Sequence, residues 1–224
     1  MCDLDGTLID TSRLYFEGVP PIVARHLGVR AAPRELLPLW GRLARHFFAH
    51  FADRVGAPES AVDAMYAEFE DYYNAAHNRL AKVYDGVAEG LARLRRAGLA
   101  VGVVTTRPSG RGGPVGAMDL ARQLDFIVWG DMVARAKPAP DGLEHALAAH
   151  GDPERGGFYI GDTANDVTAA RRCRHPVRAA AALWDAMDRD ALLAAGPDAA
   201  FERFGDFADW VLAQEDAAAI RKEG

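Results

Sequence analysis

Between Val87 and Arg172 the chain alternates helix-like segments with short, uninterrupted apolar runs, and this rhythm limits the possible folds more than any other feature. Val87, Leu91 and Leu94 recur at helical spacing up to Gly98, and the apolar stretch Leu99–Val104 follows at once. The pattern repeats as a helix over Val115–Leu124 with a strand at Phe126–Trp129, then a helix over Asp141–His150 with a strand at Gly157–Ile160. A further helix over Asn165–Arg172 is followed by Val177 and an alanine-rich turn or strand of uncertain type, although the alanine run Arg178–Leu183 has a composition consistent with helix formation. A last helix is expected over Phe207–Ile220. Apolar runs without polar alternation suit strands covered on both faces, so the chain is read as α/β, a Rossmann-like parallel sheet flanked by helices.

The stretch from Tyr15 to about Leu80 breaks this rhythm, because its apolar and aromatic residues, among them Leu43, Phe47, Phe51, Tyr66, Phe69 and Tyr73, keep helical spacing with no strand between them. Pro20-Pro21, Pro33, Pro38 and Pro58 are expected to divide it into several short helices. It reads as an inserted all-helical cap over 14–83, with 1–13 and 84–224 forming the α/β core. A chain of 224 residues is long enough for both. Phe47, Phe48 and Phe51 are expected to pack inside the insertion.

A net charge of -6 argues against a general nucleic-acid footprint. No run is long and apolar enough to span a bilayer, and the two cysteines, Cys2 and Cys173, show no metal or redox spacing, so a cytoplasmic protein is expected. His77, His145 and His175 form no ligand pattern.

The candidate chemistry sits at the ends of the apolar runs. Asp3 and Asp5, one residue apart and followed by Gly6 and Thr7, suit phosphoryl transfer: one carboxylate attacks phosphorus and the other exchanges the leaving-group proton. The same residues also make an ordinary solvent-facing turn. Gly161-Asp162-Thr163-Ala164-Asn165-Asp166 follows the Phe158–Ile160 run, at the strand end where open parallel sheets bind ligands. Asp162 is a candidate oxygen ligand for Mg2+, with Asp166 one helical turn on as a supporting or water-mediated partner. Helix capping by Asp162 or Thr163 is compatible with that role. Thr105 ends another strand and offers its hydroxyl, with neighbouring backbone N–H groups at Thr106, to phosphate oxygens; Lys137, before Pro138, offers one ammonium.

In their order and spacing these residues resemble the haloacid-dehalogenase-like hydrolase superfamily over nearly the whole chain. Asp3-Leu4-Asp5-Gly6-Thr7-Leu8-Ile9-Asp10 is similar to its first motif, Thr105 to its second, Lys137-Pro138 to its third, and Gly161-Asp162 through Asp166 to its fourth. The tail with Leu183-Trp184 and Leu192-Leu193-Ala194-Ala195-Gly196 most resembles the phosphoglycolate-phosphatase-like branch.

The resemblance implies a Mg2+-dependent phosphoric monoester hydrolase with Asp3 as nucleophile and metal ligand. Asp5 would be general acid/base with its carbonyl on the metal, Asp162 a metal ligand and Asp166 a support for that site. Thr105 and Lys137 would hold phosphate, with Gly6, Thr106 and Arg107 beside it, and Lys137 would also orient Asp3. Arg13 and Arg42 in or near the insertion are candidate substrate contacts. The expected partner is a small-molecule phosphate substrate, with no nucleic acid or membrane, in a monomer or homodimer. Asp5 argues against carbon–halogen cleavage, since dehalogenases of this type generally lack the second acid. A sugar phosphomutase and a catalytically weakened ligand-binding or regulatory homologue are the alternatives. Only Met1 and Cys2 precede Asp3, so the strand leading into it is expected to be short.

Overall fold

The computed structural model describes residues 1–111 and 120–223. The chain divides into two compact units, Met1–Ile9 with Val83–Gly224, and Asp10–Lys82. Two short strands, β1 (Ile9–Asp10) and β2 (Lys82–Val83), mark the points where the chain passes from one to the other.

The second unit is helical. It is built from α1 (Ser12–Leu27), α2 (Pro33–Leu36), α3 (Ala44–Val55) and α4 (Glu59–Leu80). Pro20 and Pro21 do not divide α1, contrary to the expectation of several short helices; the helix runs through both. An internal proline costs about 3 kcal/mol in isolation. Here the buried face Leu14, Gly18, Val19, Ile22 and Val23 packs along α4, and that burial offsets the loss. Gly18 permits the approach, since a Cβ there would fall 2.4 Å from the Tyr72 ring. Phe47, Phe48 and Phe51 are fully buried in this unit, as their spacing suggests, and Tyr15, Phe47, Phe69 and Tyr73 pack ring against ring at tilted angles.

The first unit carries the sheet. Its elements are α5 (Val87–Arg96), β3 (Gly102–Val104), β4 (Phe126–Val128), α6 (Asp141–His150), β5 (Gly157–Gly161), α7 (Ala164–Arg172), β6 (Val177–Ala182), α8 (Arg189–Ala194), β7 (Ala199–Phe201) and α9 (Phe204–Glu223). Strands β3 and β4 pair in parallel, as do β5, β6 and β7. The Met1–Asp3 segment joins the two halves. Cys2 N–H donates to the Gly102 carbonyl at 2.9 Å and Asp3 N–H to the Ile160 carbonyl at 2.8 Å, with Cys2 bridged in parallel to both Val103 and Ile160. This short strand, bonded on both sides, is the centre of the sheet. The spatial order is β4, β3, Met1–Asp3, β5, β6, β7, and the chain winds outward in both directions from the centre. In such sheets ligands bind at the carboxyl ends beside the strand where the winding reverses.

Side chains alternate across the strands. Val104, Phe126, Val128, Tyr159, Ala179 and Ala181 share a core with residues of α6 and α7, while Phe158 meets Trp210 of α9. Of the turn or strand expected for the alanine-rich segment, the structure shows strand, β6, ending at Ala182. Alanine favours helix by only a few tenths of a kcal/mol per residue over most others, and pairing on both sides, with Ala179–Ala182 all buried, overrides it. The first half of the helix expected over Val115–Leu124, residues 115–119, lies outside the described residues, as do residues 112–114 of the glycine-rich loop; Leu120–Gln123 forms a 3-10 turn.

Candidate active site

Three strand ends place the acidic residues together. Asp3 ends the central segment, Thr105 follows β3 and Asp162 follows β5. Carboxylate oxygens of Asp3, Asp162 and Asp166 all lie within 4.8 Å of one another, and all three residues are buried. Among the described residues this is the grouping of acidic, histidine or cysteine side chains able to hold a metal ion.

The loop after Asp3 is folded back on itself: Leu8 and Ile9 N–H both donate to the Leu4 carbonyl, and Gly6 N–H to that of Ile9. Its tight point is Gly6, at φ +80°, where a Cβ would sit 2.2 Å from Asp162 Oδ2. Glycine is therefore required both by the left-handed backbone and by the closeness of the carboxylate. Thr7 Oγ1 donates to Asp162 Oδ1 at 3.0 Å, and Trp184 Nε1 donates to the Thr7 carbonyl at 3.2 Å, tying the loop to the region after β6.

Lys137, on the connection before α6, is 7% exposed at its side chain. Its Nζ lies 2.7 Å from Asp3 Oδ1, 2.5 Å from Asp166 Oδ1 and 2.8 Å from the Tyr159 hydroxyl. Asp166 is saturated on its other oxygen, which accepts Thr163 N–H at 3.0 Å and Thr163 Oγ1–H at 2.5 Å as the reciprocal cap of α7. The capping and metal-site readings of this motif thus coexist. Asp162 Oδ2, by contrast, is buried with no hydrogen-bond partner. A buried, unpartnered carboxylate oxygen facing two more acids is costly unless a cation sits there. Oxygen donors of this kind fit a hard divalent ion such as Mg2+.

Thr105 remains in the ladder through its N–H to the Val128 carbonyl at 3.0 Å, and its Oγ1 accepts Arg107 N–H at 3.1 Å. Thr106 stands between them, and Gly130 N–H closes the loop onto the Arg107 carbonyl at 2.8 Å. The Arg107 guanidinium, 3% exposed, forks onto Asp5: Nε meets Oδ2 at 3.1 Å and the second nitrogen meets Oδ1. The structure thus brings Asp3, Asp5, Gly6, Thr105, Arg107, Lys137, Asp162 and Asp166 into one unit. Arg13 and Arg42 belong to the helical unit, where Arg13 pairs with Glu17 and Arg42 is exposed.

Burial is the largest influence on Asp3 and raises its pKa from 3.8 to about 7; Lys137 opposes the rise and Asp166 adds to it. Burial, then Asp166 and Asp3, push Asp162 well above the usual carboxylate range. Burial alone would lower Lys137, but the carboxylates of Asp166 and Asp3 outweigh it and hold the ammonium above its ordinary value. The folded state therefore holds the Asp3 proton more tightly than the unfolded chain, and between pH 3.8 and about 7 it binds more protons. This contribution to stability is lost as pH rises through that window. Chelated protein is expected to lose roughly 5 °C of Tm from this source between about pH 5 and about pH 7.5, measured as the difference from Asp3→Asn, and Mg2+ to restore it at the higher pH. A difference that grows in the other direction contradicts the assignment.

Tyr159 and Trp184 were not marked by the sequence pattern as site residues, and Thr7 only as part of the Asp3–Asp10 motif. Tyr159 reads as one more residue of an apolar strand, and only a hydroxyl on the face that follows Val104 signals otherwise.

Comparison with known proteins places the chain in a family. The family model for haloacid dehalogenase-like hydrolases matches residues 1–180, and the chain belongs to that family, in its phosphoglycolate-phosphatase-like branch. A phosphoglycolate phosphatase of Cupriavidus necator is 36% identical over 185 residues, 79% of this chain and 78% of the relative. A pyrophosphatase, PpaX, of Listeria monocytogenes is 29% identical over 208 residues, 91% of each chain. A crystal structure from Haemophilus somnus, described as a predicted phosphoglycolate phosphatase, superposes with a TM-score of 0.84 at 19% identity, covering 93% of this chain and 95% of the other. Among the described residues no helix is long and apolar enough to cross a membrane.

Proposed function

We propose that this protein is a Mg2+-dependent phosphatase that hydrolyses a small-molecule phosphomonoester through an aspartyl phosphate on Asp3. The observation that carries the reading is the Lys137 ammonium, held between Asp3 at 2.7 Å and Asp166 at 2.5 Å, beside Asp162 with its open Oδ2. One cation and three acids fit a site built to receive a divalent ion and a phosphate dianion together.

Asp3 and Asp162, with the Asp5 carbonyl, would hold the ion, and Asp166 would support it. When bound it neutralises charge on the phosphoryl oxygens. An Asp3 carboxylate oxygen attacks phosphorus as the ester P–O bond breaks, and Asp5 gives its proton to the leaving oxygen. In the second step Asp5 takes a proton from water as the water oxygen attacks phosphorus, the Asp3–phosphorus bond breaks and phosphate leaves. Thr105, Lys137 and the backbone at Gly6 and Thr106 face the phosphoryl group, Arg107 keeps Asp5 oriented, and Arg13 and Arg42 remain candidates for the rest of the substrate.

The relatives' names make phosphoglycolate the first substrate to try and pyrophosphate the second. The test is phosphate release from phosphoglycolate, pyrophosphate, sugar phosphates, nucleotides and an aryl phosphate, with Mg2+ and after chelation. Turnover that falls at least ~10³-fold on chelation and returns with Mg2+ is the expected result. Turnover indifferent to chelation contradicts the reading. Transfer of phosphate between positions of a sugar, without release, points to a mutase, and metal-dependent binding without product points to a regulatory homologue.

A further inference from the structure

We propose that Tyr159 is a positioning residue of the reaction, whose hydroxyl fixes the direction in which Lys137 presents its ammonium to Asp3. This rests on the phosphatase reading and extends it to a residue inside the sheet. Lys137 Nζ has three hydrogens, and three acceptors stand around it: Asp3 Oδ1 at 2.7 Å, Asp166 Oδ1 at 2.5 Å and the Tyr159 oxygen at 2.8 Å. The phenol, accepting one bond, has a single proton to donate, and two acceptors are in reach, Asp166 Oδ1 at 2.9 Å and the Val104 carbonyl at 3.1 Å.

Val104 is the residue before Thr105, so one hydroxyl connects the ammonium, the Asp166 carboxylate and the root of the phosphate loop. Tyr159 is 1% exposed and its ring is packed in the sheet core with Val104 and Val128, which leaves the hydroxyl little freedom. An ammonium on a flexible stem with two acceptors can pivot about them. The third acceptor, on a rigid strand, removes that freedom.

The test is Tyr159→Phe, which keeps the ring and deletes the oxygen. Losing a hydrogen bond to a charged group predicts a fall in kcat of about tenfold, with KM changed by less than about twofold. Calorimetric titration with Mg2+ is expected to show Kd raised about threefold, because Asp166 loses the phenol and the Lys137 ammonium that it shares with Asp3 loses its third contact. Phe158→Leu serves as the control, since it loosens the same strand on its other face, against Trp210, without touching Lys137; it is expected to lower Tm while kcat per folded molecule stays unchanged. The proposal is overturned if Tyr159→Phe leaves kcat and the Mg2+ Kd as in the wild type, if only KM moves, or if Phe158→Leu loses as much kcat. The Mg2+ titration does not depend on turnover. An idle wild-type enzyme would therefore count against the phosphatase reading alone, while Mg2+ binding still decides the role of Tyr159.

Discussion

Asp3→Asn is expected to abolish turnover, by at least ~10⁴-fold in kcat, while leaving a folded protein. The amide has nearly the shape of the carboxylate and can still accept from Lys137 through its oxygen. Lys137 keeps Asp166 as its counter-charge at 2.5 Å, so the substitution leaves no buried cation alone. It removes one of three crowded acids, the one whose pKa burial has raised to about 7. Stability should therefore be held or slightly improved in the absence of metal, and Mg2+ should bind less tightly. Activity assay and thermal unfolding of the same preparation separate the two effects. A variant with more than about 1% of wild-type kcat would mean that the carboxylate of Asp3 is not the nucleophile.

Lys137→Met is expected to be damaging in a different way. The ammonium is the buried counter-charge of both Asp3 and Asp166, and its loss leaves two buried carboxylates uncompensated. Breaking a buried pair on one side typically costs about 3–5 kcal/mol, far more than an exposed pair is worth. The surface pair of Arg13 and Glu17 makes the contrast: both side chains are largely exposed, and its loss should change stability by less than about 1 kcal/mol. Adding Asp3→Asn to Lys137→Met should recover part of the lost stability by removing one of the stranded charges, although no turnover returns. Urea unfolding of the two single variants and the double variant measures this as a coupling between the sites. Additive losses would show that Lys137 and Asp3 do not depend on each other.

The candidate site was largely legible because its residues sit where the sequence changes character, at the point where an apolar run gives way to acid, glycine or threonine. Thr105 and Asp162 each follow such a run and stand just after β3 and β5, whereas Asp3, with only Met1 and Cys2 before it, was legible from its pairing with Asp5, Gly6 and Thr7. Asp166 was legible from helical spacing after Asp162. What stayed hidden depends on the third dimension. Tyr159 lies in a strand whose neighbours are apolar, and only the alternation of faces, with Val104 across the sheet, shows that its hydroxyl reaches Lys137. The fork of Arg107 on Asp5 joins residues 102 positions apart, and nothing local marks it. Trp184 supports the first loop across an even longer separation.

The fold shows the same division. The parallel sheet followed from the apolar rhythm, since strands buried on both faces leave no other pattern. The alanine strand β6 was only half legible, as turn or strand, because alanine's local preference points to helix and only pairing with β5 and β7 decides the outcome. Pro20 and Pro21 misled in the opposite sense. Their local cost is real, yet α1 continues through them because its apolar face is buried against α4.

The central claim is that phosphate passes through Asp3, and trapping the phosphoenzyme tests it most directly. Labelled substrate would be mixed with Mg2+-loaded protein, quenched in acid within the first turnover, reduced with borohydride and digested for peptide mapping. The account predicts a phosphoenzyme that is stable to acid and cleaved by hydroxylamine, with residue 3 converted to homoserine, and neither signal in Asp3→Asn. Label on another residue, or full turnover with no phosphoenzyme at any quench time, would contradict it.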